Sequence, residues 1–398
     1  MVKYSSTLYL EINNINFIFS IEKKDEQNKT EILNDTVVPI EGIKDKRIID
    51  LERVFQIFKE NIYLIEKKLG VTFKEIVLII ENFNPTFINL SGYKKLNGSQ
   101  ILKENVTYIL NTLKSNITEI ESKKTIIHIF NSQFKLDNKK IENLPIGLFG
   151  DFYSHEISFS LLDSNDYKNL CNIFNQCNLK IKKIFLKSFI KGAYISNKNK
   201  DKETFFYINL NDNSSELFFF ENNSLKFQQD FKFNIDIILN DICKITSLKK
   251  ETVELILSKI EFDDKIEENE ILDKELFNND IYRKIKKKLI YDIALARIQE
   301  ISELILFKNI NFSSFTKSKK KILIEMNNKL QIFSLKQIYE KIFSNYGKFD
   351  LEFLSEISNK DIINTADRIV HYGWKKEAIP VTQNKKSLIA RLFDTVFG

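Results

Sequence analysis

The sequence predicts an α/β protein whose two halves repeat one pattern. Three observations point there. Strand-like runs alternate with long helical stripes, one run is apolar throughout, and a strand–turn–strand pattern recurs after about half the chain.

Leu8-Tyr9-Leu10-Glu11-Ile12 reads as a strand, Asn13-Asn14 as a turn and Phe17-Ile18-Phe19 as the returning strand. Residues 50–69 then place Leu51, Val54, Phe55, Phe58 and Ile62 at helical spacing and stop at Gly70. Ile76-Val77-Leu78-Ile79-Ile80 has the continuous apolar character of a buried parallel strand. Residues 123–163 read mainly as strands. The second hairpin is Phe205 to Leu210, a turn from Asn211 to Ser215, and Leu217-Phe218-Phe219-Phe220. Set beside Leu8-Tyr9-Leu10-Glu11-Ile12, the run Phe206-Tyr207-Ile208-Asn209-Leu210 shares an aromatic second residue, one polar interruption and a polar turn. Residues 233–307 read as mostly helical, and Lys321-Ile322-Leu323-Ile324-Glu325 as a last buried strand.

Composition narrows the function. The chain has 398 residues but only 10 glycines, where average usage near 7 % would give about 28. Functions that need several glycine-rich phosphate loops are therefore disfavoured. Hydrophobic residues make up 43 % and charged residues 29 %, an ordinary globular balance with room for two or three domains. The net charge of +6 comes from interspersed Lys and Glu, so no nucleic-acid partner is implied. Three cysteines offer no disulfide framework, which makes the cytoplasm the expected compartment. Cys171 and Cys177 fall on different faces of a helix and read as packing residues, and His128 inside an apolar strand reads as structural. No metal site is expected. The N-terminus carries no secretory signal. No apolar run approaches the roughly 18–20 residues of a spanning helix, so any membrane contact is expected from the side.

Short motifs then carry a resemblance. Ile127-His128-Ile129-Phe130 is followed by Leu144-Pro145-Ile146-Gly147-Leu148-Phe149-Gly150, and a helix from Asn169 leads to Leu179. Asn240-Asp241-Ile242, Ala296-Arg297 with Glu300, and His371-Tyr372-Gly373 come after it in order. In order and spacing these resemble the FtsA family, the actin-like bacterial cell-division proteins that tether FtsZ filaments to the membrane. The resemblance runs over nearly the whole chain and is best from about residue 125 to 245.

It implies a two-lobed actin-like fold of the duplicated, ribonuclease H-like kind, with an inserted small subdomain and a C-terminal amphipathic helix. The expected division is first-lobe core 1–82, inserted subdomain 83–161, return to the first lobe 162–200, second-lobe core 201–232, helical subdomain 233–307, second-lobe core and return 308–373, linker 374–386 and terminal helix 387–398. It also implies ATP with Mg²⁺ between the lobes, phosphates held by the backbone amides of two hairpin turns. That region maps to Glu11, Asn13, Asn14, Asn209, Asn211, Asp212, Asn213, Ser214, Ser215, Glu254, Met326 and Asn327.

Glycine is what such turns need, because a side chain blocks the approach of backbone to phosphate. Here Asn209-Leu210-Asn211-Asp212-Asn213-Ser214-Ser215 stands where the family has Asp-Ile-Gly-Gly-Gly-Thr-Thr. Asn13 and Met326-Asn327 replace further glycines, and Leu257 stands where a lysine usually follows Glu254. Asparagine tolerates left-handed angles, so the turns are expected to keep their shape and lose their open surface. Asp212 adds a like charge, and Asn209 removes a carboxylate that would organise a metal-bound water. No catalytic residue is assigned, and ATP turnover is not expected.

The C-terminal segment is the sharper signal. Leu388, Ile389, Leu392, Phe393, Val396 and Phe397 fall on one helical face, flanked by Lys385, Lys386 and Arg391. Such a helix lies in an anionic membrane interface. By resemblance, the helical subdomain receives the acidic, apolar FtsZ tail, with Lys286, Lys287, Lys288 and Arg297 as contacts. Self-association and later division proteins are the other implied partners, at the cytoplasmic face of the plasma membrane. The expected function is a division scaffold that works by recruitment. The rival readings are a pilus-assembly adaptor of the same fold and an actin-fold ATPase or kinase.

Overall fold

The computed structural model describes residues 6–24, 30–81, 83–199, 201–211, 214–233, 235–262, 267–277, 280–312, 320–326, 333–347 and 349–378. The chain divides into two compact units: Met1–Leu186 with Asp367–Gly398, and Lys187–Ala366.

In the first unit, β1 (Ser6–Ile12), β2 (Asn16–Lys24) and β3 (Thr30–Pro39) form an antiparallel meander. A small ribbon, β4 (Ile43–Lys44) and β5 (Arg47–Ile48), leads into α1 (Leu51–Leu69). Helix α1 begins because the Asp50 carboxylate accepts the Arg53 N–H at 3.0 Å. It ends because Gly70 takes φ 64°, a left-handed turn that glycine adopts without a Cβ clash. Its buried face rests Phe58 edge-on against Phe17, ring centroids 4.9 Å apart. Strand β6 (Glu75–Ile80) then runs parallel to β1.

Between β6 and the last strand of this sheet comes an insertion: β7 (Thr86–Lys95), α2 (Lys103–Ile120), β8 (Lys124–Leu136), β9 (Lys139–Ile141) and β10 (Phe152–Asp163). Its four strands form their own sheet, order β7-β10-β8-β9, and share a core with Ile109, Leu113 and Ile117 of α2. Helix α3 (Ser164–Gln176) and β11 (Lys180–Leu186) complete a five-stranded sheet of order β11-β6-β1-β2-β3.

The second unit opens with α4 (Lys187–Lys198), where Gly192 lets the helix approach the ring of Phe220; a Cβ there would sit 2.6 Å from it. Strands β12 (Phe205–Leu210), β13 (Ser215–Glu221) and β14 (Ser224–Phe231) repeat the meander. Helices α5 (Ile235–Thr246), α6 (Lys250–Lys259) and α7 (Lys287–Ser302) follow. Then come β15 (Lys320–Met326), α8 (Phe333–Asn345), β16 (Phe349–Leu354) and α9 (Asn359–Tyr372), whose end from Asp367 belongs to the first unit. The sheet order is β14-β13-β12-β15-β16. Strand for strand, and in every parallel or antiparallel pairing, this repeats β3-β2-β1-β6-β11. The duplication read from two hairpins is a duplication of whole sheets.

Beyond α9 the chain lies along β8: Asn131 N–H donates to Lys376 O at 2.7 Å and Ala378 N–H to Ile129 O at 2.8 Å.

Two hairpin turns and a helical groove as candidate sites

The first hairpin closes on a two-residue loop, with Ile12 opposite Phe17 and the Asn13 N–H donating to Asn16 O at 3.1 Å. Contrary to the expectation from sequence, none of residues 13–16 has a left-handed φ. The turn is made by the Asn13 side chain. Its Oδ1 accepts the N–H of Ile15 at 2.9 Å and of Asn16 at 2.7 Å, while its Nδ2 donates to Glu11 Oε1 at 3.2 Å. Asn14 Nδ2 donates to Glu81 Oε1 at 3.1 Å. A phosphate cradle needs turn amides that point at the ligand with nothing bound to them. Here two are taken by an amide oxygen, and the buried Glu11 carboxylate stands beside them. This turn does not fit a phosphate.

The second hairpin has the same frame, with Leu210 opposite Ser215 and Asn211 N–H donating to Ser214 O at 3.0 Å. Ser215 is buried and donates its hydroxyl to Phe233 O at 2.8 Å. Asp212, Asn213 and Asn327 lie outside the described residues. Asn209 is buried opposite Glu325 in the parallel pairing of β12 with β15. Met326 points into the second unit's apolar core, as does Leu257, whereas Glu254 is exposed on α6. Neither Met326 nor Leu257 can hydrogen-bond a nucleotide. Among the described residues no group of three His, Cys, Asp or Glu is placed to hold a metal.

Beneath each hairpin lies a buried tyrosine network that sequence reasoning missed. Tyr9 donates to Asp367 Oδ1 at 2.9 Å, and Asp367 also lies 2.8 Å from His371 Nδ1. Burial, then Asp367 and Glu22, push the Tyr9 phenol far above its ordinary range. Tyr207 donates to Glu325 Oε2 at 2.5 Å, and Lys191 Nζ reaches both Glu325 Oε1 at 2.9 Å and the Tyr207 hydroxyl at 3.1 Å. The one sequence signal was the aromatic second residue shared by the two hairpins.

His128 is structural, as read: its Nε2 accepts the Leu186 N–H at 3.2 Å, and burial with nearby Lys183 lowers its pKa to about 3. The three cysteines are free thiols, and burial raises that of Cys177 to about 11.

A second candidate site lies on the helices. Two motifs far apart in sequence meet there: Arg297 of α7 pairs with Asp241 of α5 at 2.6 Å and with Glu300 at 2.5 Å. They border a groove of about 380 Å³ lined by Asp241, Ile245, Asp292, Ile293, Ala296, Arg297 and Glu300. Lys286, Lys287 and Lys288 stand at the start of α7, nine to eleven residues from Arg297, or roughly 15 Å along a helix. Lys286 bonds Asn269 at 3.0 Å, Lys287 pairs with Glu270, and Lys288 with Glu268 at 3.3 Å. The four cations expected to share one partner are thus split between a lysine-rich helix start and an acid-rimmed groove. The candidate membrane residues Lys385, Lys386, Leu388, Ile389, Arg391, Leu392, Phe393, Val396 and Phe397 lie outside the described residues. Among the described residues no helix is long and apolar enough to cross a membrane.

No family model matches the chain. Two FtsA cell-division proteins of Buchnera aphidicola are similar to it. The one from subspecies Schizaphis graminum is 20 % identical over 290 residues, 73 % of this chain and 68 % of that protein. The one from subspecies Acyrthosiphon pisum is 18 % identical over 357 residues, 87 % and 85 % of the two chains. The PilM–PilN type IV pilus biogenesis complex superposes with a TM-score of 0.50 at 9 % identity, over 92 % of this chain and 95 % of that one. The chain has an actin-like fold, and in sequence it is similar to FtsA proteins of cell division.

Proposed function

We propose that this protein is a cell-division scaffold that ties FtsZ filaments to the cytoplasmic face of the membrane, associates with itself and recruits later division proteins. The observation that carries the reading is the likeness to FtsA over 87 % of this chain. The terminal amphipathic stripe supplies the membrane contact. The lysine-rich start of α7 receives the acidic FtsZ tail, because its partly exposed ion pairs are weak and exchange for a partner's carboxylates. The scaffold acts without nucleotide turnover, in keeping with the Asn13 side chain that occupies the first turn. Likeness to PilM speaks for the fold alone and gives no reason to prefer a pilus role.

Binding of an FtsZ C-terminal peptide to the full-length protein, read by fluorescence anisotropy, tests the partner. The triple variant Lys286→Glu, Lys287→Glu, Lys288→Glu should lose roughly tenfold in affinity, about 1.4 kcal/mol; unchanged binding would remove that surface from the reading. Co-sedimentation with phosphatidylglycerol vesicles tests the anchor, and Leu392→Glu with Phe393→Glu should abolish it. A saturable thermal stabilisation by Mg-ATP would end the nucleotide-independent account.

A further inference from the structure

Beyond α9 the chain docks on the insertion. Gly373 closes the helix with φ 75°, and its N–H donates to Ile369 O at 2.9 Å. Trp374, the chain's one tryptophan, is buried. The next residues take up a stretch of the β8 edge that β9 leaves open: β9 pairs with Phe134–Leu136, whereas Glu377 sits opposite Phe130. The backbone bonds to Asn131 and Ile129 flank that bridge. Side chains add three holds. The Glu377 carboxylate pairs with Lys183 of β11 at 2.7 Å, Lys376 Nζ donates to Glu142 O at 3.0 Å, and Ala378 is buried in the insertion's own core. Residues 374–378 thus strap the insertion to the first sheet.

The place where the strap holds decides how far the following chain can reach. From Ala378 to Lys385, where the amphipathic segment begins, an extended chain spans at most about 25 Å. From Gly373, with the strap undocked, the same limit is about 43 Å. The strapped edge is also cationic. Lys139 and Lys140 of β9 and Lys375 of the strap are exposed, with Lys376 beside them, against Asp137 and Glu142. Glu377 is neutralised by Lys183. An anionic surface brought that close meets charges of opposite sign.

We propose that the strap, rather than the end of α9, carries the C-terminal segment 385–398, and so holds an anionic lipid surface within about 25 Å of the strapped edge of β8. That edge, with its lysines, is then the face turned to the bilayer. The lipid half of this inference rests on the membrane contact proposed above; the docking of the strap does not. Without the strap, a segment lying on the bilayer would let the body stand off by up to about 43 Å and would not fix which edge faces the lipid.

Two measurements on the full-length protein test it. The first is lipid-free. Acrylamide should quench Trp374 poorly, and the amides of Asn131 and Ala378 should exchange slowly. Glu377→Lys sets like charge against Lys183 and should speed both amides roughly tenfold and raise the quenching. Lys183→Glu with Glu377→Lys should restore both, while unchanged exchange in β12 reports an intact fold. Fast exchange of both amides in the wild type overturns the strap. The second is the gap between protein and a supported phosphatidylglycerol bilayer, read by neutron reflectometry. A Gly-Ser linker of about 20 residues inserted after Ala378 should widen the gap by roughly 25 Å. The same linker between Gly373 and Trp374 should leave it as in the wild type, because the strap still docks downstream. Equal widening by both insertions overturns the proposal. In the Glu377→Lys background the two insertions should become equivalent, and a difference that persists there overturns it too. A wild type that never adsorbs sinks the membrane reading and the lipid assignment with it, while the lipid-free exchange decides the strap by itself.

Discussion

Tyr9 and Tyr207 occupy the same place in two sheets of identical order, each four residues before the asparagine that begins a hairpin turn. Both are fully buried, and both give their hydroxyl to a buried carboxylate. The solutions differ. In the first unit the carboxylate is Asp367, on a helix, with Glu22 and His371 near it. In the second it is Glu325, on the neighbouring strand, and helix α4 supplies Lys191 to neutralise it. Duplication has preserved the backbone frame, which hydrogen bonding dictates, while the charges inside it have been rebuilt. A buried polar group needs a partner, but the fold does not prescribe which.

Acid should separate the units most. All three histidines lie in the first unit. Burial, aided by Lys183, lowers His128 to about 3, and burial, aided by Lys376, lowers His155 to about 4. Both are neutral when folded, whereas the unfolded chain takes up their protons below about 6.5. Between those values the unfolded state binds more protons, so stability rises with pH and is lost as pH falls from about 6.5 toward 4. Each histidine contributes up to about 1.4 kcal/mol per pH unit. Hydrogen exchange at pH 7 and near pH 5 should show β8 and β10 losing protection before β12 and β15; the reverse order would refute the contrast.

Removing Lys191 should come next. Its side chain is 6 % exposed and that of Glu325 is 5 %, so Lys191→Met strands a carboxylate in the core. Breaking a buried pair from one side costs about 3–5 kcal/mol. In the first unit Asp367→Ala takes one carboxylate from the Tyr9 phenol, which keeps Glu22 beside it, and from His371, a loss of about 1–3 kcal/mol. Denaturation of the two variants side by side measures the difference, and equal losses would mean that the lysine pair is no more critical than the tyrosine alone.

Much of the frame was legible. Strands β1, β6, β12 and β15 are apolar enough to announce themselves, and α1 carries both its stripe and its caps. Strand β3 was hidden because Asn34, Asp35 and Thr36 break any apolar pattern. Strand β14 was hidden too, although Asn222 and Asn223 before it take the φ values of 49° and 62° that a tight hairpin uses. Lys191 and Glu325 are 134 residues apart and look like surface charges until the sheet brings them together. The groove motifs were visible singly, as Asn-Asp-Ile and Arg-x-x-Glu; only the packing of α5 on α7 joins Asp241 to Arg297. At the first turn, asparagine was read for its backbone tolerance, whereas its side-chain acceptor is what shapes the loop.

That turn gives the smallest effect and the finest contrast. Asn13→Gly removes the oxygen that caps Ile15 and Asn16, at a cost of about 1 kcal/mol, and should speed exchange of those two amides roughly fivefold. Asn13→Asp keeps an acceptor in place and should leave the exchange slow. If both variants exchange like the wild type, the cap does not hold the turn. Opening the amides also separates two obstacles to phosphate. Should the glycine variant gain a saturable thermal shift with inorganic phosphate, the asparagine alone closes the turn. Should it gain none, the neighbouring Glu11 carboxylate keeps anions out by charge even when the donors are free, and a glycine at this turn is not sufficient to admit a phosphate.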